Sequence, residues 1–282
     1  MDYLQTVESV RRVVAAWKRE GLRVGLVPTM GFLHEGHVSL MRRAGEEADR
    51  VVVSIFVNPM QFGPNEDLAQ YPRDLERDMA LCAEAGVHAV FHPTPEEMYP
   101  PGFQTFIATP ELASGLCGKS RPTHFQGVCT VVCKLFQMVQ PEKAFFGQKD
   151  AQQLAIIKRM TADLNIPVTV VGCPIIREAD GLAKSSRNAY LGEKERVAAL
   201  VLHRSLDFAR EEASAGLNDP ALLLEKVRHF IESEPLAEVD YIELVDPDTM
   251  TPVQNLNKPA LLAMAVRFGK ARLLDNALIG KG

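Results

Sequence analysis

The sequence lacks the cysteine patterns of a zinc ribbon or a disulfide framework. It contains five cysteines, an odd number that cannot pair completely, and no two of them form a C-x-x-C motif. Cys129 and Cys133 stand four residues apart, so they would share one face of a helix, where packing is a sufficient explanation. Reduced thiols are typical of the cytosol, and we therefore expect a cytoplasmic protein without structural disulfides.

Long apolar runs and an excess of basic residues are also missing. The N-terminal segment has no apolar signal core, and no run approaches the ~18 apolar residues that suggest a membrane span. The net charge of −5 provides no general attraction for nucleic acid or anionic lipid. We therefore expect neither as a partner, and a phosphate-bearing ligand would be held by local cations and main-chain N–H groups.

The common nucleotide and metal fingerprints are absent as well. Neither G-x-G-x-x-G nor G-x-x-x-x-G-K-[ST] follows the first apolar strand. The segment H-E-G-H, residues 34–37, has its histidines one residue closer together than the zinc-protease motif H-E-x-x-H. The remaining histidines follow no ligand spacing, so we expect no metal held by protein side chains.

Apolar runs alternate with helix-period segments along the first part of the chain. The runs L-R-V-G-L-V-P-T and V-V-V-S-I-F-V-N are apolar on both faces, which is typical of parallel strands covered by helices. Residues 127–139 are rich in β-branched side chains, but their apolar positions follow the helical period, which predicts a helix. We predict an α/β fold with a Rossmann-type open parallel sheet over residues 1–176.

The pattern changes after Arg177. Two amphipathic helices, about 193–215 and about 220–234, precede short strands such as V-D-Y-I-E-L-V and A-L-L-A-M-A-V-R-F. We predict a smaller C-terminal α+β domain over residues 177–282 that forms a lid over the active site.

The loops after the predicted strands carry the candidate functional residues. Ligands of an open parallel sheet bind beyond the carboxyl ends of its strands. One such loop leads into His34 and His37, which would lie side by side on the first turn of a helix and can donate to a polyphosphate. The alternative is one capping and one solvated histidine.

Two further segments suit a phosphate ligand. In G-L-A-K-S-S-R-N, Lys184 and Arg187 flank Ser185 and Ser186, although a surface turn would have the same composition. In F-G-Q-K-D, residues 146–150, the glycine allows close approach of a ligand and the lysine can neutralise phosphate. The aspartate can cap the next helix, bind a ribose hydroxyl, or do both.

Polar side chains elsewhere have weaker signals. The loop after the second long strand contains Asn58, Gln61 and Asn65, and a neutral amide suits a small hydroxylated acid. One of the glutamines at 152 and 153 should face the ligand. The run D-L-E-R-D, residues 74–78, is interpreted as a solvated helix face. Arg121 and His124 precede a helix and can bring a further cation.

The order of four motifs resembles one known family. P-T-M-G-x-L-H-x-G-H, F-V-N-P-x-Q-F-G-x-x-E-D-x-x-x-Y-P-R, F-F-G-x-K-D-x-Q-Q and R-E-A-D-G-L-A-x-S-S-R-N-x-Y-L follow one another as in pantothenate synthetases, the pantoate–β-alanine ligases. These are nucleotidyltransferase-like adenylating enzymes related to class I aminoacyl-tRNA synthetases. H-E-G-H is similar to their HIGH element, and K-S-S-R-N to their KMSKS element.

The resemblance implies a function in pantothenate biosynthesis. Pantoate and ATP, with Mg²⁺ held mainly by the ATP phosphates, would give pantoyl adenylate and pyrophosphate. β-Alanine would then react to give pantothenate and AMP. The resemblance also implies a homodimer that uses only small-molecule substrates.

The resemblance further implies the roles of individual residues. His37 and His34 would act on the phosphates, where we interpret both as stabilising charge on the leaving pyrophosphate. The implied catalytic set is His34, His37, Lys149, Ser185, Ser186 and Arg187. The implied ATP contacts are Met30, Gly31, Phe32, Leu33, His34, Glu35, Gly36, His37, Gly147, Gln148, Lys149, Asp150, Ile176, Lys184, Ser185, Ser186 and Arg187. Asn58, Gln61 and Gln153 would contact pantoate or β-alanine.

Two positions depart from the family pattern, and other functions compete. Gln148 stands where a glutamate is usual, and Lys184 where an apolar residue is frequent. A nucleotidyltransferase that leaves the adenylyl group on its product would use the same H-x-G-H turn. A non-catalytic nucleotide-binding regulator is disfavoured because clustered cations need a phosphate to neutralise them. The acidic charge disfavours a tRNA synthetase.

Overall fold

The chain forms two compact units in the computed structural model, which describes residues 1–64 and 66–280. The first unit comprises Met1–Thr109, Thr123–Gln148 and Ile156–Pro174, and the second comprises Pro110–Pro122, Lys149–Ala155 and Ile175–Gly282. The second unit thus includes residues 110–122, 149–155 and 175–176, which the sequence assigns to the first domain. The lid role stays a prediction, and Asn65 lies outside the described residues.

The first unit is built on a six-stranded parallel sheet. Its strands β1–β6 are Asp2–Leu4, Val24–Thr29, Arg50–Ile55, Ala89–Phe91, Lys143–Gly147 and Thr169–Cys173, in the order β1-β4-β3-β2-β5-β6. Thr29 of β2 pairs with Ile55 of β3, so the loops that follow these two strands begin side by side. The predicted α/β class is confirmed, whereas the short strand β1 was not predicted.

Helices α1–α7 are Val7–Arg19, Glu35–Glu47, Leu75–Glu84, Pro95–Met98, Leu116–Ser120, His124–Val139 and Ala151–Asp163. Thr6 caps α1. The β-branched segment in α6 is helical and is buried around most of its circumference. The helical period therefore outweighs β-propensity there, because burial of nearly every side chain stabilises the helix more than χ1 restriction opposes it.

The second unit combines α8–α10, Glu193–Ala198, Val201–Ser214 and Pro220–Glu232, with an antiparallel sheet. Its strands β7–β9 are Glu238–Val245, Ala260–Phe268 and Ala271–Ile279, in that order. The helix predicted over 193–215 is in fact two helices. Leu200 and Leu202 donate to carbonyls three residues back, at Val197 and Ala199, and this tighter turn separates α8 from α9.

Each unit has its own apolar core, and the cysteine thiols form no disulfide bonds. The core of the second unit includes Leu206, Val227 and Met264, and that of the first includes Val27, Val53 and Phe145. All five cysteines are free thiols. Burial raises the pKa of Cys82 to about 12. Among the described residues, no helix combines the length and apolar character needed to cross a bilayer.

Candidate active site

The H-E-G-H segment begins helix α2 after a tight turn from β2. Gly31 and Phe32 have φ values of 81° and 49°, so two successive residues adopt the left-handed region. His34 is the N-cap residue of α2, and its Nδ1 accepts from the N–H of Gly36 at 3.1 Å. His37 Nδ1 accepts in return from the N–H of His34 at 3.2 Å. The two imidazoles thus form a reciprocal capping box.

This arrangement fixes the tautomer of both imidazoles. A neutral imidazole whose Nδ1 accepts a hydrogen bond carries its proton on Nε2. His34 and His37 therefore each present an Nε2–H donor, and their ring centroids are 4.1 Å apart. Capping and phosphate binding are compatible, because they use opposite nitrogens of the same rings. The N-terminus of a 13-residue helix adds the positive end of its dipole.

The other implied ATP contacts of this turn differ in exposure. Gly31 and Leu33 are buried, whereas Met30, Phe32 and Gly36 are partly buried and Glu35 is exposed. Because the Leu33 side chain packs in the apolar core, a ligand contact at this position would come from the main chain.

Asn58 and Gln61 form a buried amide pair in the loop after β3. Asn58 Nδ2 donates to Gln61 Oε1 at 3.2 Å and to the carbonyl oxygen of Gly127 at 3.1 Å. Asn58 Oδ1 accepts from the Tyr99 hydroxyl at 2.8 Å and from Met60 N at 3.3 Å. Asn58 is 1% exposed and its amide is fully engaged, so the geometry gives it the task of orienting Gln61.

Helix α6 contacts the main chain of the same loop. His124 Nδ1 lies 2.9 Å from the carbonyl oxygen of Gln61. Gly127 is required because a Cβ there would lie 2.3 Å from the carbonyl oxygen of Met60. Gln61 Nε2 also reaches Met30 Sδ at 2.9 Å, which links this loop to the turn after β2. The structure thus brings Met30, Asn58 and Gln61 together.

The F-G-Q-K-D segment follows strand β5. Gly147 is the last residue of the strand, and a Cβ at this position would have no neighbouring atom within 4 Å. Gln148, Lys149 and Asp150 form a single 3-10 turn directly before α7, in which Gln148 is exposed.

The second unit brings Lys149 next to the 176–187 segment. Lys149 Nζ donates to the carbonyl oxygen of Lys184 at 3.1 Å, and Lys184 N donates to the carbonyl oxygen of Ile176 at 2.9 Å. Ser185 Oγ accepts from Arg187 N at 3.2 Å and thereby caps the short 3-10 helix Ser186–Tyr190. The side chains of residues 184–187 are partly buried and belong to one compact loop.

Strand β9 contributes two residues that sequence reasoning missed, one of which holds this loop and the other Lys149. Arg177 pairs bidentately with Asp275, with N–O distances of 2.6 and 2.9 Å, and also donates to the carbonyl oxygen of Gly181. Asn276 Nδ2 donates to the carbonyl oxygen of Lys149 at 2.8 Å. The signal that was available is the polar pair D-N inside the apolar strand L-L-D-N-A-L-I.

The glutamines at the start of α7 have different environments. Gln152 is buried, and its amide accepts from Cys117 N and donates to the carbonyl oxygens of Leu112 and Gly115. Gln153 is partly buried. The polar atoms of Gln152 are engaged within the second unit, so of the two glutamines Gln153 is the one that stays a candidate for ligand contact.

The interpretation of residues 74–78 as a solvated helix face is wrong for Asp78. This carboxylate is 1% exposed and accepts from the N–H groups of Phe32 and Leu33, both at 2.7 Å. Burial raises its pKa, and the two N–H donors oppose that shift. Leu75, Met79 and Cys82 form an apolar stripe with Asp78 inside it, which is the pattern that predicts burial.

Within residues 1–64 and 66–280, no group of three or more His, Cys, Asp or Glu side chains is arranged to hold a metal ion. The candidate ligands of the two units are instead cations, amides, hydroxyls and N–H groups, which suit anionic oxygen atoms.

Comparisons with known proteins point to one family. Residues 2–278 match the sequence model for pantoate-beta-alanine ligase. The chain is 57% identical to the pantothenate synthetase of Heliobacterium modesticaldum over 98% of its own length and 99% of the relative's. It is 55% identical to the pantothenate synthetase of Enterococcus faecalis, with 98% of both chains covered.

Solved structures give the same result. The chain superposes on pantothenate synthetase from Thermus thermophilus with a TM-score of 0.94 and 48% identity over 100% of both chains. For the pantoate-beta-alanine ligase of Francisella tularensis, complexed with beta-gamma ATP and beta-alanine, the TM-score is 0.82 and the identity 34%, covering 100% of this chain and 99% of the other.

Proposed function

The chain belongs to the pantoate–β-alanine ligase family, and on this premise we propose that its His34–His37 turn and its 184–187 loop bind the ATP that drives the ligation. The enzyme condenses pantoate with β-alanine through a pantoyl adenylate. The pantoate carboxylate attacks the α-phosphorus of ATP, and pyrophosphate leaves. The β-alanine amine then attacks the acyl carbon, and AMP leaves with formation of pantothenate.

The observation that carries the residue assignment is the reciprocal cap of His34 and His37. Because both Nδ1 atoms accept main-chain hydrogen bonds, both Nε2–H groups are oriented donors before any substrate binds. Negative charge moves onto the pyrophosphate as the bond to the α-phosphorus breaks. Donors that are fixed in advance stabilise this charge without reorganisation, which is where electrostatic catalysis has its largest effect.

Further ATP contacts are proposed from the family resemblance and supported by the chemistry of each loop. Lys149 and Arg187 carry the positive charge, and Ser185 and Ser186 supply hydroxyl donors. The remaining proposed contacts are residues 30–33, 35, 36, 147, 148, 150, 176 and 184. Lys149 is tethered to the carbonyl oxygen of Lys184, so a cation and the hydroxyl-rich loop belong to one hydrogen-bonded assembly.

For the acid substrates we propose direct contacts from Gln61 and Gln153. Asn58 donates to the side-chain oxygen of Gln61 and so fixes the direction of its amide, while His124 contacts the main-chain carbonyl oxygen of Gln61. A contact between Asn58 itself and substrate stays a prediction, because the hydrogen-bonding capacity of its amide is used within the first unit.

We propose that Mg²⁺ enters as the ATP complex. Mg²⁺ commonly keeps several waters and binds through substrate phosphates, which fits an ATP site built from cations and hydroxyls. The homodimer and the cytoplasmic location also remain proposals, the first drawn from the family and the second from the reduced thiols. Light scattering of the purified chain would test the dimer directly.

Product analysis tests the activity. The enzyme is incubated with ATP, Mg²⁺ and pantoate, with or without β-alanine, and the nucleotides are identified. We expect AMP and pyrophosphate, with AMP release dependent on both acid and amine. ADP formation, or AMP release indifferent to both substrates, would contradict the ligase assignment. Retention of the adenylyl group on the product would indicate a nucleotidyltransferase.

Substitution of His37 tests the residue assignment. His37→Ala should lower kcat by about 10²–10³-fold, the usual loss when one oriented donor to a developing oxyanion is removed. His37→Gln is the matched control, because glutamine at this position of a capping box can still accept from the N-cap N–H. The Gln variant should regain stability but not turnover, as measured by thermal unfolding and steady-state kinetics. An unchanged kcat in the Ala variant would refute the phosphate role.

A further inference from the structure

Asp78 of helix α3 binds the main chain of the turn that precedes His34. Its Oδ2 accepts from Phe32 N and its Oδ1 from Leu33 N, each at 2.7 Å. Two successive N–H groups of this turn therefore converge on one carboxylate, as in a main-chain nest that binds an anion. Here the anion in the nest is a carboxylate of the protein itself.

Packing of α3 does not explain an aspartate at this position. Asp78 lies in the apolar stripe with Leu75, Met79 and Cys82, where an apolar side chain would pack without desolvating a charge. Burial of a carboxylate is tolerated only when hydrogen bonds satisfy it, and the turn supplies two. The benefit of the charge therefore lies in the turn that it holds rather than in the helix that carries it.

The turn approaches Asp78 so closely that only glycine fits beside it. A Cβ at Gly31 would lie 2.9 Å from Asp78 Oδ2 and 3.1 Å from Ile55 Cγ2. Leu33 N is bound to Asp78, and the next residue is His34, the N-cap of α2. One side chain thus anchors the main chain immediately before the two imidazoles.

We propose that Asp78 is a positioning residue for adenylation: its carboxylate fixes the turn 31–33 and thereby the direction of the Nε2–H donors of His34 and His37. This inference rests on the proposed role of those histidines in pantoyl adenylate formation. In this role Asp78 acts through the main-chain N–H groups of Phe32 and Leu33. It should therefore affect the first half-reaction, in which pyrophosphate leaves, and not the second, in which the amine attacks the adenylate.

The primary test is Asp78→Asn, assayed separately in the two half-reactions. The amide keeps the shape of the side chain but turns an NH₂ group toward one of the two N–H donors. Pyrophosphate release from ATP and pantoate should fall by about 10²-fold, the loss expected from a displacement of about 1 Å. Conversion of supplied pantoyl adenylate and β-alanine to pantothenate should stay within about twofold of wild type. A comparable fall in both half-reactions would overturn the proposal, because it would indicate a general structural defect.

Asp74→Asn is the matched control. Asp74 caps the same helix by accepting from Arg77 N at 3.1 Å, and asparagine is an equally good N-cap. This variant should change neither half-reaction. If Asp78→Asn leaves adenylation unchanged while His37→Ala lowers it, the positioning role is refuted and the proposed function stands. If neither Asp78→Asn nor His37→Ala lowers the adenylation rate, the proposed function of the turn is refuted as well.

A second variant covers the case in which Asp78→Asn does not fold. Asp78 lines a cavity of about 180 Å³ in the first unit, together with Gly31, Arg73 and His92. In Asp78→Ala, added formate can occupy the place of the carboxylate, whereas formamide has the shape without the charge. Formate should raise the adenylation rate at least about tenfold and formamide should not. Equal effects of the two compounds, or no effect of formate, would overturn the proposal.

Discussion

The two units hold their candidate phosphate loops by different kinds of contact. In the first unit, the turn before α2 is held through its main chain, by the buried Asp78 and by the reciprocal histidine cap. In the second unit, the 176–187 loop is held largely through side chains, with Arg177 paired to Asp275 and Arg196 paired to Glu178 and Asp180. The bonds to Asp78 do not depend on the side chains of Phe32 and Leu33, which donate through the main chain, whereas an ion pair requires both side chains.

The difference also extends to solvent exposure. The Asp78 carboxylate is 1% exposed. The carboxylates that anchor the 176–187 loop range from the buried Asp275 to Asp180, whose side chain is 42% exposed. Because water and salt screen exposed pairs, we expect the second unit to contain both strong and weak anchors, which can be ranked by substitution.

The largest loss of stability is expected when the buried carboxylate, Asp275, is removed. Asp275→Ala leaves the Arg177 guanidinium without its carboxylate, and loss of one partner of a buried pair destabilises by about 3–5 kcal/mol. Urea unfolding measures the loss. Asp163→Ala removes an exposed pair with Arg159 and serves as the control, with little change expected. Equal losses in the two variants would show that burial does not distinguish these anchors.

A smaller effect is expected where the loop depends on a glycine. Gly181 has a φ of 96°, and a Cβ there would lie 2.0 Å from His203 Cδ2. Gly181→Ala should destabilise by about 1–3 kcal/mol through backbone strain and this clash. Gly216→Ala is the control for strain alone, since Gly216 has a φ of 104° and open space around it. Adding His203→Ala to Gly181→Ala should remove the clash but not the strain, which thermal unfolding can separate.

The smallest loss of stability is expected when the partly exposed pairs of Arg196 are removed. Arg196→Gln removes the pairs with Glu178 and Asp180, at 3.0 and 2.7 Å, and should lower the free energy of unfolding by about 1 kcal/mol. The loss should shrink between about 0.05 M and about 1 M salt, because these carboxylates are partly exposed. A loss that is independent of salt would place this pair with the buried anchors.

The same variant has a defined pH dependence. The hydrogen bond from Arg196 lowers the pKa of Asp180 in the folded state. A carboxyl with a lowered pKa stabilises fully above its unfolded pKa of about 3.9 and loses that contribution as the pH falls through the lowered value. The difference in stability between wild type and Arg196→Gln should therefore be constant near neutral pH and shrink in acid. A difference that grows on acidification would contradict this assignment.

Much of the fold was predictable because its signals are local. Thr6 directly precedes an apolar periodic run, which is the local pattern of an N-cap, and it caps α1. The alternation of doubly apolar strands with helices predicts a parallel sheet, and the period of residues 127–139 predicts α6 in spite of their β-branched side chains. Two elements of the fold differ from the prediction. The 193–215 run is continuous in sequence but is interrupted by a tighter turn, and the short strand β1 was not predicted.

The site was predictable in its residue types but not in its supporting contacts. H-E-G-H at a helix start indicates an anion site, and both histidines are in fact part of the cap. Asp78 was wrongly predicted to be exposed, because the charged residues of D-L-E-R-D suggest solvent exposure. The apolar stripe around Asp78 indicated burial instead. Asn58 was assigned to substrate, yet its partners Tyr99 and Gly127 lie 41 and 69 residues away along the chain.

The sequence by itself determined the parallel-sheet class, the start of α2 at the histidine pair, and the family to which the chain belongs. These follow from periodicity, caps and motif order, which act over a few residues. Only the tertiary structure decided that Asp78 lies under a turn 46 residues earlier in the chain and that Asp275 holds Arg177 from 98 residues later. Such contacts depend on which strands are neighbours and on the depth at which a charge is buried, and neither is encoded at one position.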